Sequence, residues 1–229
     1  MEWAINDSDI TEKDPSGVKG FISRMDQAFR EDGPLLEGFN FLVSGTEMLR
    51  ITREIEAEVL GTEGNRTLYV GFQRSHKLSN ELDRYQGLKA AGIDVVAFGH
   101  GQASDECGDA VQQWVNLDLD TKTFENQWHL VSLDPTPIVF IGWETSTPEK
   151  FGLGPLSGVG KEFAGFVCSD SRVVGALVHH LERIRRQHGP TDSMNMEQLA
   201  AAVPFPVRRI LAVSDDGKRD DLKSMREDA

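Results

Sequence analysis

Two apolar runs, TLYVGFQ at 67–73 and IDVVAFG at 93–99, flank one helix-like segment, NELDRYQGLKAAG at 80–92. No other feature of the chain limits its fold as strongly. Both runs are rich in residues that pack well on a pleated sheet. Between them Asn80 stands where a helix N-cap would, and Gly92 where a helix would stop. Strand, helix and strand within residues 67–99 have the length of a βαβ unit. Such a unit makes the two strands parallel neighbours joined by a right-handed crossover.

The rest of the chain extends this pattern. SGTEMLRITREIEAEVLG, 44–61, is the clearest helix: Ser44 and Glu47 have capping-box spacing, and Met48, Ile51, Ile55 and Val59 recur on one face. HGQASDECGDA, 100–110, reads as a polar loop, and VNLDLD, 115–120, as a half-buried strand. WHLVSLDPTPIVFIGWE, 128–144, holds two apolar runs broken by Asp134-Pro135-Thr136-Pro137, which favours a hairpin. KFGLGPLSGVGK, 150–161, reads as a glycine-rich loop, FAGFVCSDS as a strand and its exit, and RVVGALVHHLERIRRQ as a long helix. The expected class is α/β: a mixed sheet of about five strands flanked by helices, containing the βαβ unit and the hairpin.

The division expected along the chain is an acidic N-terminal extension at 1–38, a central domain at 39–187 and a C-terminal extension at 188–229 with a disordered end. VKGFISRMDQAF is the candidate helix of the first extension, MEQLAAAV that of the last.

Composition removes several classes of function. The 24 basic and 37 acidic residues leave a net charge of −13, which repels nucleic acid and anionic membrane surfaces. The local basic group Arg183, Arg185, Arg186 and His188 ends a helix, where the dipole favours cations. Two cysteines, Cys107 and Cys168, make neither a disulfide framework nor a four-thiolate metal site. The N-terminus lacks a signal-peptide pattern, and no apolar run approaches the length of a membrane helix. The expectation is a cytoplasmic protein with no metal, no nucleic-acid partner and an unknown cofactor requirement.

Two corners carry the chemistry. After 67–73 come Arg74, Ser75, His76 and Lys77, beyond the carboxyl end of a parallel strand, where open α/β sheets usually bind ligands. Arg84 and Tyr85 on the following helix are expected to line the same mouth. After FAGFV come Cys168, Ser169, Asp170, Ser171 and Arg172, with Ser169 or Asp170 fit to cap the next helix. If both corners share one edge, Arg74, His76, Asp170 and Arg172 would share one cleft. Among the tryptophans, Trp114 and Trp143 are the candidates for a partly exposed aromatic lining, and His179 and His180 for one inward and one outward imidazole. LSGVGK has the glycine content of a phosphate loop but neither its spacing nor its strand-to-helix context, and no G-x-S-x-G, H-E-x-x-H or CxxC pattern occurs.

FNFLVSGTEMLRITREIEAEVL, TLYVGFQRSHKLSNELDRYQGLKAAGIDVVAFG, WHLVSLDPTPIVFIGWE and FAGFVCSDSRVVGALVHHLERI together resemble the DICT domain, a sensory module of bacterial and archaeal signalling proteins. The likeness covers roughly 39–187. Its most telling pieces are Phe72-Gln73-Arg74 with the Arg84-Tyr85 helix, and the Ser169-Asp170 turn with the Val-rich helix behind it. The resemblance implies a sensory input domain of diguanylate cyclase and two-component pathways, with proposed links to light response. Family members are often fused to output modules, whereas this chain shows no cyclase, kinase, receiver or helix-turn-helix segment. Its output would then pass through a partner such as a histidine kinase, a regulator or a cyclase, or through a homo-oligomer. The expected site residues for a small ligand are Arg74, His76, Lys77, Arg84, Tyr85, Ser169, Asp170 and Arg172. A small hydrolase using His76 or Asp170 and a pure interaction scaffold are the alternatives.

Overall fold

The computed structural model describes residues 36–188 apart from 62, 65, 118–123, 125 and 147–159, together with the single positions 19, 20, 23, 27 and 30. Within 36–188 the described residues form, in order, β1 (Asn40–Leu42), α1 (Gly45–Leu60), β2 (Arg66–Arg74), α2 (Ser75–Ser79), α3 (Leu82–Ala90), β3 (Ile93–His100), α4 (Asp105–Ala110), β4 (Gln113–Leu117), β5 (Gln127–Ser132), β6 (Ile138–Glu144), β7 (Phe163–Cys168) and α5 (Ser171–His188). The fold is α/β with one mixed sheet. It holds seven strands, in the order β1-β7-β6-β5-β2-β3-β4, where periodicity led to an expectation of about five.

β2 lies parallel to β3 and β3 parallel to β4, so the βαβ unit is present. The remaining pairings are all antiparallel, including the β5–β6 hairpin across the proline turn. Three strands therefore point one way at one end of the sheet, and strands alternate in direction toward the other end.

Two hydrophobic clusters sandwich the sheet. On one face Met48, Ile55 and Val59 of α1, Leu78 of α2, Tyr85 and Leu88 of α3 and Cys107 of α4 pack on Leu68, Val70, Val95, Ala97 and Phe140. On the other, α5 alone among the described helices supplies Val174, Leu177, Val178, Leu181 and Ile184, which cover Tyr69, Phe98, Val131, Ile141 and Phe166. Alternation along β2, where Leu68 and Val70 face one way and Tyr69 the other, is the period-two rule of a strand buried on both sides.

Several local expectations are corrected. The segment 80–92 is not one helix: α2 takes in the polar corner itself, Asn80 is its C-cap, and α3 starts from Glu81. The 100–110 loop contains α4, because Ser104 caps it through its hydroxyl, which accepts from the Cys107 N–H at 3.3 Å. Trp143 is 3% exposed and part of the core, while Trp114 is half-buried. His179 and His180 are both half-buried, so neither points fully in or out. Ser44 caps α1 as its spacing indicated, accepting from the Glu47 N–H at 3.4 Å. Of the proposed helix in 18–29, residues 19, 20, 23 and 27 are helical. Most of the glycine-rich loop, residues 118–120 and the MEQLAAAV segment lie outside the described residues.

Candidate functional site

The carboxyl end of β2 is irregular in a specific way. In the β2–β3 ladder Gly71 pairs with Phe98 and the next pair is Arg74 with His100, so three steps on β2 match two on β3. This is a β-bulge, and within it Gln73 takes a left-handed φ of 57°. For a residue with a side chain that conformation costs about 1 kcal/mol or more. Phe72 keeps to the face of Leu68 and Val70, where its ring meets Tyr85 edge-on at 5.1 Å. Arg74 is left at the sheet edge beside His100.

The surroundings of Arg74 are tightly built. Trp114 lies against Gly99, where a Cβ would come within 2.6 Å of the indole and 3.6 Å of the Arg74 nitrogen. The indole N–H donates to the Gly101 carbonyl at 3.0 Å. Gly101, with φ +88°, passes close to Ser75, whose Oγ would sit 3.2 Å from a Cβ there. Above this floor the side chains of Arg74 and His76 are exposed and Lys77 is half-buried.

Arg84 and Tyr85 are spent elsewhere. Both reach Glu56 of α1: the Tyr85 hydroxyl donates to Oε1 at 2.9 Å and Arg84 Nη1 to Oε2 at 3.0 Å. Arg53 also binds Glu56 at 3.0 Å, and Arg53 and Arg84 both contact Glu81, at 2.8 and 3.3 Å. Burial raises the Glu56 pKa above the usual carboxylate value, opposed by the Arg53 charge and the Tyr85 hydrogen bond. Burial likewise pushes the Tyr85 phenol well upward, helped by the Glu56 charge. A buried carboxylate with two guanidiniums and a phenol ties α3 to α1. The sequence held a clue: with Met48, Thr52, Ile55 and Val59, Glu56 falls on the inward face of α1.

The second corner lies at the opposite edge of the sheet. β7 runs antiparallel to β6, and β6 to β5, which is itself antiparallel to β2, so the end of β7 and the end of β2 point in opposite directions. Arg74 and His76 therefore share no cleft with Ser169, Asp170 and Arg172. A hydrolase needing His76 and Asp170 at one centre has no geometric support.

That second corner is closed by the chain itself. Asp170 Oδ1 accepts from the Arg172 backbone N–H at 3.0 Å and from Arg172 Nε at 2.8 Å, and Oδ2 pairs with Arg172 Nη2. These bonds hold its pKa at about 2. The Ser169 N–H donates to the Glu37 carbonyl at 2.9 Å, and Gly38, with φ +60°, lies so close that a Cβ would collide with Ser169 Oγ. Burial pushes the Cys168 thiol up to about 11, the reverse of a reactive thiolate.

Sequence reading missed two further groups on the α5 face. Tyr69 donates to the wholly buried Glu182 at 2.9 Å, with Arg185 Nε 3.2 Å from its other oxygen. His129, 2% exposed, has no hydrogen-bond partner at either ring nitrogen. Its alternation with Val131 was the available signal. Among the described residues, no group of three or more His, Cys, Asp and Glu could hold a metal ion, and no helix is long and apolar enough to cross a membrane.

No curated protein sequence matches the chain. A family model does: the sensory domain in diguanylate cyclases and two-component systems, known as DICT, matches residues 23–139. The match spans slightly over half of the 229 residues and includes β1 to β5, α1 to α4 and the bulged edge.

Proposed function

The chain belongs to the DICT family of sensory domains in diguanylate cyclases and two-component systems, and from that premise we propose a non-catalytic cytoplasmic sensor that reads a small ligand or a partner's surface at the bulged edge of β2. The contacts proposed are Arg74, His76 and Lys77 above the floor of Gly99, Gly101 and Trp114. The sensory unit is proposed to span 39–187, since β6, β7 and α5 complete the sheet and core that begin inside the family match. Its output would go to a signalling protein such as a histidine kinase, a regulator or a cyclase, or to a second copy of the chain.

The observation that carries this reading is Gln73. A left-handed non-glycine residue persists only where its surroundings over-determine it, and such positions gather at ligand sites. Here it stands at the carboxyl end of a parallel strand, the edge at which open α/β sheets take ligands, and inside the family-matched residues. Arg74 and His76 reach solvent beside it.

A ligand transmits nothing unless it favours one of two arrangements. The approach of Ser75 to Gly101 offers such a route, along which a ligand that moves α2 would press on the β3–α4 turn.

The test is native mass spectrometry of the protein purified from its own cells, beside an Arg74→Ala/His76→Ala variant. Retention of a stoichiometric small molecule or a signalling partner by the wild type and its loss from the variant is expected. Equal retention by both moves the site elsewhere, and retention of nothing by either removes the reading.

A further inference from the structure

Among the described residues, the imidazole of His129 is the one buried side chain whose chemistry the fold leaves unanswered on both of its nitrogens. A neutral ring carries one N–H donor and one lone pair, and leaving either unbonded in a core costs about 1–3 kcal/mol. The ring is walled by apolar groups. It lies against Gly71 of β2, where a Cβ would come within 2.5 Å of it, and meets the rings of Phe124 at 4.7 Å and Phe98 of β3 at 5.9 Å. Its partner across the β5–β6 ladder is Ile141.

Among the described residues few titratable groups face this layer, and no carboxylate bonds to His129. From α5 comes His180, itself a base, with Arg183 Nη2 at 3.3 Å from its Nδ1. Glu182 on the same helix is taken by Tyr69 and Arg185. β2 contributes the Tyr69 phenol, and β3 contributes the exposed Asp94, whose charge acts on Tyr69, and His100 at the edge. An imidazolium at 129 would therefore be buried, unpaired and opposite another histidine.

We propose that His129 makes the docking of α5 on the sheet proton-sensitive, so that acidification releases α5 while the α1–α4 layer stays folded. The inference is independent of the ligand site proposed above. α5 is the sole described helix on its face, and its release uncovers the layer in which His129 lies beneath Phe124.

Linkage fixes the direction. Burial, and secondarily the charge of His180, lower the docked His129 pKa from 6.5 to about 3. In the released form the ring regains its ordinary value, so the released form binds more protons between those limits. Docking is fully supported above pH 6.5 and weakens as pH falls below it. Between pH 7 and pH 5 the docked-to-released ratio drops by about 25-fold.

Hydrogen exchange read by mass spectrometry on the full chain, as protection factors at pH 7 and pH 5, tests this. Expected is a loss of about 25-fold in protection over 171–188 at pH 5, with 45–60 unchanged. His129→Phe and His129→Leu should abolish the difference. Equal α5 protection at both pH values overturns the proposal, as does a parallel loss in α1, which would mean global unfolding. Persistence of the wild-type pH dependence in a folded variant overturns it too. Should neither variant fold, the wild-type His129 ring followed by NMR decides: protonation at pH 5 with α5 still protected sinks the idea, and a neutral ring in the docked form upholds it.

Discussion

At residues 72–77 an apolar strand runs into Arg, Ser, His and Lys before a helix; at 168–172 another runs into Ser, Asp, Ser and Arg before a helix. The layouts match, and the structure treats them in opposite ways. Around Asp170 the carboxylate is answered from within: it caps α5 and clamps Arg172, and the Glu37 carbonyl accepts from the Ser169 N–H. Around Arg74 the backbone is held in a left-handed turn, no side chain caps α2, and the side chains of Arg74 and His76 are exposed. The lesson is that polar residues at a strand-to-helix corner announce nothing by themselves. A corner that satisfies itself is architecture, and one that maintains strain while exposing its donors has something left to do.

The comparison can be broken by substitution. The largest effect is expected from Gly38→Ala, which forces a side chain into φ +60° and against Ser169. Together these should cost about 2–4 kcal/mol in denaturant unfolding; a change below 1 kcal/mol would mean that the Glu37–Gly38 segment does not close this corner.

Next comes Asp170→Ala, expected to cost about 1–2 kcal/mol through the lost cap and charged hydrogen bonds. Its pH signature follows from the depressed pKa. Asp170 binds its proton more weakly folded, at about 2, than unfolded, at 3.8. Its contribution is thus present above pH 3.8 and disappears as pH falls toward 2. Acid unfolding curves of wild type and Asp170→Asn should converge there; parallel curves would remove Asp170 from the acid limb.

Gln73→Gly should stabilise the protein by about 0.5–1 kcal/mol, because glycine accepts the left-handed turn without penalty. A loss of stability would show that the Gln73 side chain is worth more than its strain. The smallest effects belong to Arg74→Ala and His76→Ala, each within about 0.5 kcal/mol of wild type by thermal unfolding. If either cost as much as Asp170→Ala, the two corners would be equally structural and the ligand reading of the first would lose its contrast.

Much of the architecture was written locally. The Ser44–Glu47 cap, the apolar face of α1, the parallel pair around 67–99 and the proline hairpin all follow from periodicity and turn chemistry within a few residues. β1 escaped because three residues, Asn40–Leu42, cannot show a period, and it is a strand only through its pairing with Gly165–Val167. α4 escaped because six polar-rich residues look like loop until the Ser104 cap is recognised. At the site, Arg74, His76 and Lys77 were legible as residues past a strand end. The bulge at Gln73 was not, since it exists only in the offset between β2 and β3. Arg84 and Tyr85 looked available until Glu56, 28 and 29 residues earlier, was brought to them.

By itself the sequence determined the class of the fold, the family to which it belongs and the residue types at each corner, because these rest on local spacing and composition. Only the tertiary structure decided which corner is closed and which is open. That depends on the direction of β7 in the sheet and on a glycine 131 residues before the serine it touches, and no local pattern encodes either.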